Sequence, residues 1–286
     1  MSILEHEKIV GQILHALEKD SIVLPTMPEV AIKIQKLIED PNVSADLIVV
    51  ALSSDPIVAA QLIKSANSAA YAGKPRVEKV REAVSRLGYR QMRNQVMSIT
   101  MSKMFHSKNS LIQQRMQSVW DQSREVAAVS YVIARGQRNL SADQAMLAGL
   151  LHAIGVLPLC LYLDQNKINV DDETLSQLIK KCRAIIGAHL LRKWNFAQEI
   201  VTAVAEFENI HRESGNGPLV DYADIITIAN LQDRARAKLV VWRNIAAVQR
   251  LGWTEEQCQN FLEDHAEEIE KVATMLGMSP QAKSPR

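Results

Sequence analysis

Ser141-Ala142-Asp143-Gln144-Ala145-Met146-Leu147-Ala148-Gly149-Leu150-Leu151-His152-Ala153-Ile154-Gly155 is the stretch on which the fold turns. Ser141 with Gln144 three residues later has the form of a capping box, which predicts a helix that starts here and carries Leu147, Leu150 and Leu151 into a core. The second half, Gly149 to Gly155, is apolar apart from His152. That places one imidazole beside a small, glycine-bounded turn, where it is expected to be buried.

The same helical spacing extends through the chain. Val10, Ile13, Leu14 and Leu17 draw one stripe, and Val30, Ile34, Leu37 and Ile38 another. No run alternates apolar and polar residues between turn signals. Aromatic residues make up only 5% of the chain, which leaves a sheet short of its usual material. The fold class is all-α. Local signals punctuate it into short helices. In Thr26-Met27-Pro28-Glu29 the proline suits a first helical turn, and Asp40-Pro41 ends that helix. Asp55 is placed to cap free N–H groups while Pro56 presets the next helix. Leu87-Gly88 closes a later one. Gly215-Asn216-Gly217-Pro218 is the strongest loop signal. The tail after Gly277 lacks apolar spacing and is expected to fray. No repeat of solenoid type is present.

Length and composition set bounds rather than answers. A chain of 286 residues, 47% hydrophobic and 23% charged, supports either one large unit or two closely packed lobes. Lys plus Arg number 33 against 32 Asp plus Glu, so no whole-molecule field draws the chain to nucleic acid or a membrane, and charge-driven binding has to be local. Cys160, Cys182 and Cys258 are odd in number, widely spaced and set among apolar neighbours. They read as reduced core thiols, not as a disulfide framework or zinc cage. Glu5, His6 and Glu7 interrupt the region where a signal peptide would be apolar, and no apolar run is read as membrane-spanning; the expected location is the cytoplasm.

Four further motifs stand upstream in fixed order: Leu24-Pro25-Thr26-Met27-Pro28-Glu29-Val30, Ser54-Asp55-Pro56, Ala66-Asn67-Ser68-Ala69-Ala70-Tyr71 and Ala83-Val84-Ser85-Arg86-Leu87-Gly88. With the 149–155 segment they make residues 20–212 similar to the HDOD domain family, bacterial signalling output domains related to HD-type metal-dependent phosphohydrolases. The resemblance implies an HD-domain-like bundle of many helices. Its N-terminal helical lobe (about 20–106) would pack on an HD-like lobe (about 110–212), preceded by a helix in 1–19 and followed by C-terminal helices in 213–286. Within that frame Asp55, Pro56, Asn67, Ser68 and Gly88 are the family-motif positions. Asn67 and Ser68 stand where a helix ends: Asn tolerates a left-handed turn, and its amide can bind stray backbone groups.

The resemblance also implies where a metal would be held and shows what has become of the ligands. Hydrolytic HD domains carry adjacent His and Asp ligands, and here those positions are His152 and Ala153, with Val156 where a lysine stands. The first ligand position falls on Gln122, a further histidine position on Arg183, a histidine pair on Phe207 and Glu208, and the last aspartate on Asn230. Asp224 is close enough in sequence for a shifted alignment to restore one carboxylate. These residues form an expected vestigial pocket: Gln122, His152, Ala153, Arg183, Glu208, Asp224 and Asn230. No metal, other cofactor or catalytic residue is expected. His152 is expected to be a core histidine bonded to Gln122 or a backbone carbonyl. His189 reads as a surface histidine, and His6, His15, His106, His211 and His265 show no ligand-like pairing.

Three features lie outside that pattern. Lys74, Arg76, Lys79, Arg81, Arg86, Arg90 and Arg93 crowd together, opposed only by Glu78 and Glu82; Arg86, Arg90 and Arg93 are the candidate partner surface, against the alternative of a solvated helix face without an aromatic platform for bases. A second basic stretch runs through Arg234, Arg236, Lys238 and Arg243, and the C-terminal segment is acidic from Glu255 to Glu270. Met92, Met97, Met101 and Met104 read as core filling before a partner groove. Three functions remain in view: a non-catalytic signalling module that binds a signalling protein or small ligand, a metal-dependent phosphohydrolase acting on a nucleotide or phosphate ester, and a nucleotide or anion sensor in the emptied pocket. None needs a membrane, and nucleic acid is disfavoured.

Overall fold

The computed structural model describes residues 3–19, 21–22, 24–107, 109–214, 217, 219–232 and 240–278, and among these every regular element is helical. The first group comprises α1 (Ile3–Glu18), α2 (Glu29–Glu39), α3 (Ala45–Ser53), α4 (Pro56–Ala66), α5 (Val80–Leu87) and α6 (Tyr89–Ser102), with a 3-10 turn at Ala69–Tyr71. The second comprises α7 (Ser110–Arg135), α8 (Ala142–Leu151), α9 (Val156–Gln165), α10 (Asp172–Lys193), α11 (Gln198–Glu206) and α12 (Tyr222–Leu231). A last set follows a 3-10 turn at Trp242–Asn244: α13 (Ala246–Leu251), α14 (Glu255–Asp264) and α15 (Ala266–Met275).

Local chemistry sets these boundaries. Asp55 Oδ1 accepts from the N–H groups of Ile57 (2.9 Å) and Val58 (3.1 Å), so α4 starts at Pro56. Ser141 Oγ accepts from Gln144 N at 3.4 Å and starts α8. Pro28 is the residue before α2 rather than part of its first turn, and no side chain caps that helix. Asn67 ends α4 in a non-left-handed conformation (φ −102°) and binds loose backbone through its amide: Nδ2 donates to Ile63 O (3.0 Å) and Val77 O (2.8 Å), while Oδ1 accepts from Val77 N (2.8 Å). The loop after α4 is thereby tied to the start of α5.

Helices α2 to α6 pack on one another, as do α7 to α12, and the two groups are joined by α6 against α8 and by α1 against α10. One continuous apolar cluster runs from Ile9 to Leu276 through both. Met92, Met97 and Met101 are buried in it and Met104 packs against it, so the methionines fill core. All three cysteines are buried free thiols. The 142–165 stretch is long and apolar enough to cross a membrane by composition, against the expectation of no such run. Its burial accounts for the apolarity, with 89% of the window inside the fold.

Helix α15 lies across the junction, against α7, α4 and the 3-10 turn at 69–71. It is held there by polar side chains of α6. Gln95 Nε2 donates to Met275 O, Ser98 Oγ donates to Leu276 O (3.3 Å), and Asn94 Nδ2 reaches across to Asp143 O at the start of α8 (2.9 Å). These α6 side chains are buried because they satisfy the ends of other helices. The expected tail after Gly277 falls largely outside the described residues, which end at Met278, as do Arg234, Arg236 and Lys238 and most of the Gly215–Pro218 loop.

Candidate functional site

His152 directly follows α8 and is fully buried. Two close helix contacts put it there. A Cβ on Gly149 would lie 2.7 Å from Ala127 Cα, so α8 can approach α7 backbone to backbone only with glycine at that position. Gly155 is tighter: its Cβ would meet Arg183 O at 2.1 Å and Gly187 N at 2.5 Å, which presses the α8–α9 turn onto α10. The His152 Nδ1 lies 2.7 Å from Gly149 O. A carbonyl only accepts, so Nδ1 carries the proton and Nε2 the lone pair. Nε2 is buried and has no hydrogen-bond partner among the described residues. Burial and, secondarily, the nearby Arg183 guanidinium push the imidazole pKa down to about 3, so it is neutral at pH 7.

The ring meets Phe207 edge to face at 5.1 Å, and the Arg183 guanidinium covers the same phenyl ring at 5.1 Å. Arg183 then pairs with Glu208: Nε donates to Oε1 at 2.9 Å and an Nη group lies 2.7 Å from the same oxygen. Four of the expected positions, His152, Phe207, Arg183 and Glu208, are thus brought together by contact, but as an aromatic and ionic stack. Ala153 is buried and offers no donor beyond its backbone. Gln122 is half-buried on α7, and the bond from His152 goes to Gly149 O rather than to it. Asn230 is half-buried on α12 with Oδ1 unpartnered.

Asp224 does not restore a metal ligand, because two arginines claim it. Arg250 donates through Nε at 2.8 Å and through an Nη at 2.5 Å, and Arg212 donates through an Nη at 2.9 Å. Arg212 also bonds Glu206 and Asp221, so one buried network ties the region after α11 to α12 and α13. Burial alone would raise the Asp224 pKa, yet the bonds from Arg250 and Arg212 prevail and hold it below the usual carboxylate range. Neither Arg212 nor Arg250 was anticipated. The available signal is weak: a buried arginine requires an acid, but Arg250 finds its acid 26 residues away.

The residues present do not fit a divalent metal. Such a site takes three or more protein ligands, most often imidazoles, carboxylates or thiolates. Here one neutral imidazole nitrogen is available next to a guanidinium, and the nearby carboxylate of Glu208 is paired with that guanidinium. Among the described residues no three of His, Cys, Asp and Glu converge as a metal-holding group. His189, expected at the surface, is half-buried on α10.

In the N-terminal group the basic residues part company. Arg86 donates to Ala66 O (3.0 Å) and to Pro75 O, and Arg93 is half-buried and donates to Gln144 Oε1 at 3.3 Å. Arg81 pairs with Asp46. Of Arg86, Arg90 and Arg93, only Arg90 is well exposed, so the three do not make one open surface. Ser68 is half-buried with its hydroxyl unpartnered. Arg135 pairs with Glu268 of the acidic C-terminal segment.

The sequence profile of the HDOD domain matches residues 24–210. The chain belongs to the HDOD family. This HDOD chain is 27% identical over 224 residues to an uncharacterized protein of Treponema pallidum (strain Nichols); the match covers 74% of this chain and 42% of that protein, so it spans less than half of that relative. A crystal structure from Shewanella amazonensis SB2B, of a protein provisionally named a metal-dependent phosphohydrolase, is similar with a TM-score of 0.75 and 26% identity, over 96% of this chain and 100% of that one. A second, from Marinobacter aquaeolei VT8 and provisionally named a signal transduction protein, gives 0.63 at 24% identity, over 96% of this chain and 66% of that one.

Proposed function

We propose that this HDOD chain is a non-catalytic bacterial signalling module, working in the cytoplasm by binding a signalling protein or a small ligand. The observation that carries this reading is the Arg183–Glu208 pair packed through Phe207 onto His152. A fixed cation occupies the neighbourhood where hydrolytic relatives need carboxylates and imidazoles around a metal. The names of its structural neighbours, one a phosphohydrolase and one a signal transduction protein, accommodate a hydrolase scaffold turned to signalling.

The phosphohydrolase alternative has little to draw on, since Asp224 and Glu208 are both paired with arginine. The anion-sensor alternative relies on Arg183, whose guanidinium is already bonded to Glu208. The test is elemental analysis of the purified chain together with phosphatase assays in added manganese, iron, zinc or magnesium. The expected result is substoichiometric metal and no turnover of p-nitrophenyl phosphate or nucleotides. Stoichiometric metal and activity that both disappear in His152→Ala would overturn the proposal.

A further inference from the structure

A cleft that shares no lining residue with the His152 stack lies between α4, the 3-10 turn at 69–71 and the loop leading to α5. Its volume is about 770 Å³, within the range of small-molecule sites. Four cations line it, Lys64, Lys74, Arg76 and Arg86, against a single acid, Glu78. In a chain whose net charge is only +1, that is a concentrated local excess.

None of the four cations makes a direct ion pair with an acid among the described residues. Lys64 and Arg76 make no ion pair or side-chain hydrogen bond among the described residues, and Lys74 rests over the Tyr71 ring at 5.8 Å from its centroid. Arg86 is the more telling case. It is half-buried, and its guanidinium is held by two neutral carbonyls, Ala66 O at the end of α4 and Pro75 O on the opposite rim. Partly buried charges ordinarily find a counter-charge; this one makes no direct ion pair among the described residues, and Glu82 acts on it only at a distance. The shape of the cleft is also fixed, because Asn67 pins the loop through both its amide atoms to Val77. Tyr71 supplies the aromatic wall that is not apparent in the basic run itself, and its hydroxyl bonds Met275 Sδ of α15 at 3.4 Å.

We propose that this cleft is a binding site for a nucleotide, with the phosphates against Lys74, Arg76 and Arg86 and the base against Tyr71 and the apolar wall at Ile63. A preorganised guanidinium with flanking lysines suits phosphate oxygens, and the volume exceeds what inorganic phosphate alone would fill. Through Tyr71 and Met275 the site is in contact with the helix that spans both halves of the fold. The site shares no residue with the His152 stack, so it stands whether or not that stack is catalytic.

Isothermal titration of the full chain with ATP, adenosine and tripolyphosphate tests the assignment. ATP is expected to bind, tripolyphosphate to bind more weakly and adenosine not at all. Lys74→Ala and Arg76→Ala, both exposed and making no ion pair or side-chain hydrogen bond among the described residues, should each weaken ATP about tenfold, the equivalent of one charge-assisted hydrogen bond. Glu78→Gln should tighten it, and Lys180→Ala on α10 should leave it unchanged. No heat with ATP, or equal affinity in the Lys74 and Arg76 variants, would overturn the site. Tripolyphosphate binding as tightly as ATP would overturn the nucleoside part, and displacement of ATP by poly-glutamate at equal charge would reassign the cleft to an acidic protein segment.

Discussion

His152 is a residue whose proton affinity differs sharply between the folded and unfolded chain. An unfolded imidazole titrates near 6.5, whereas burial and then Arg183 hold this one at about 3. Between those values the unfolded chain binds a proton that the native chain does not. Stability from this group is therefore complete above about pH 6.5 and is lost as pH falls toward 3. From pH 7 to pH 5 the loss amounts to about 2 kcal/mol. His152→Leu keeps an apolar side chain of similar bulk and removes the titration. Urea unfolding at the two pH values should show the variant losing about 2 kcal/mol less than the parent chain; equal losses in both would exclude His152 as the source. The imidazole's environment is partly legible in sequence, since an isolated polar residue in Gly149-Leu150-Leu151-His152-Ala153-Ile154-Gly155 has few partners except backbone. Its neighbours are legible only through the family resemblance, which places Arg183 and Phe207 among the pocket positions; no local pattern does so, because Arg183 comes from α10 and Phe207 from the end of α11, and tertiary packing brings them to the ring.

At the scale of elements, capping chemistry is readable because it is local. Asp55 and Ser141 each bond an N–H two or three residues on, so α4 and α8 start where the sequence predicts. Pro28 shows the limit of such reasoning, since a proline near a helix start fits both the first turn and the residue before it. Helix-to-helix contact is readable only as an unexplained glycine. Gly155 is where α9's entry turn touches the α10 backbone, with Arg183 O and Gly187 N closer to a hypothetical Cβ than any methyl group tolerates. Backbone cannot swing aside as a side chain can. Gly155→Ala should therefore destabilise the chain by about 3 kcal/mol or more, at the upper end of overpacking costs, measured by urea denaturation. Gly11→Ala is the matched control: it lies in α1 with nothing within 4 Å of its Cβ. There alanine should stabilise by about 0.5–1 kcal/mol. A Gly155→Ala chain as stable as its parent would mean that α9 can lift from α10 at little cost.

For the whole molecule the decisive element is the one whose role the sequence conceals. Helix α15 reads as an acidic surface helix, and its exposed face agrees with that. Yet it closes the junction between the two helix groups through Val272 and Leu276, both buried, and through carbonyl oxygens that accept from Gln95 and Ser98 of α6 some 180 residues earlier. No local pattern announces such a bond, because Gln91, Asn94, Gln95 and Ser98 look like a solvated stripe until their distant partners are in place. Removing the helix by ending the chain after Asp264 would expose that stripe together with the apolar bed on α7 and α4. The lost burial of two aliphatic side chains is worth about 3–6 kcal/mol, a large share of the stability of an ordinary domain. The shortened chain should unfold at a markedly lower urea midpoint. Because one apolar cluster links both groups, tryptophan fluorescence, whose four reporters all lie at or beyond Trp120, and far-UV circular dichroism should still trace the same transition in the full chain. In the shortened chain the two signals should separate, as α6 and its neighbours loosen before α7 and α8. Coincident curves at an unchanged midpoint would mean that α15 merely rests on the surface, and with it would go the path from Tyr71 to the body of the fold.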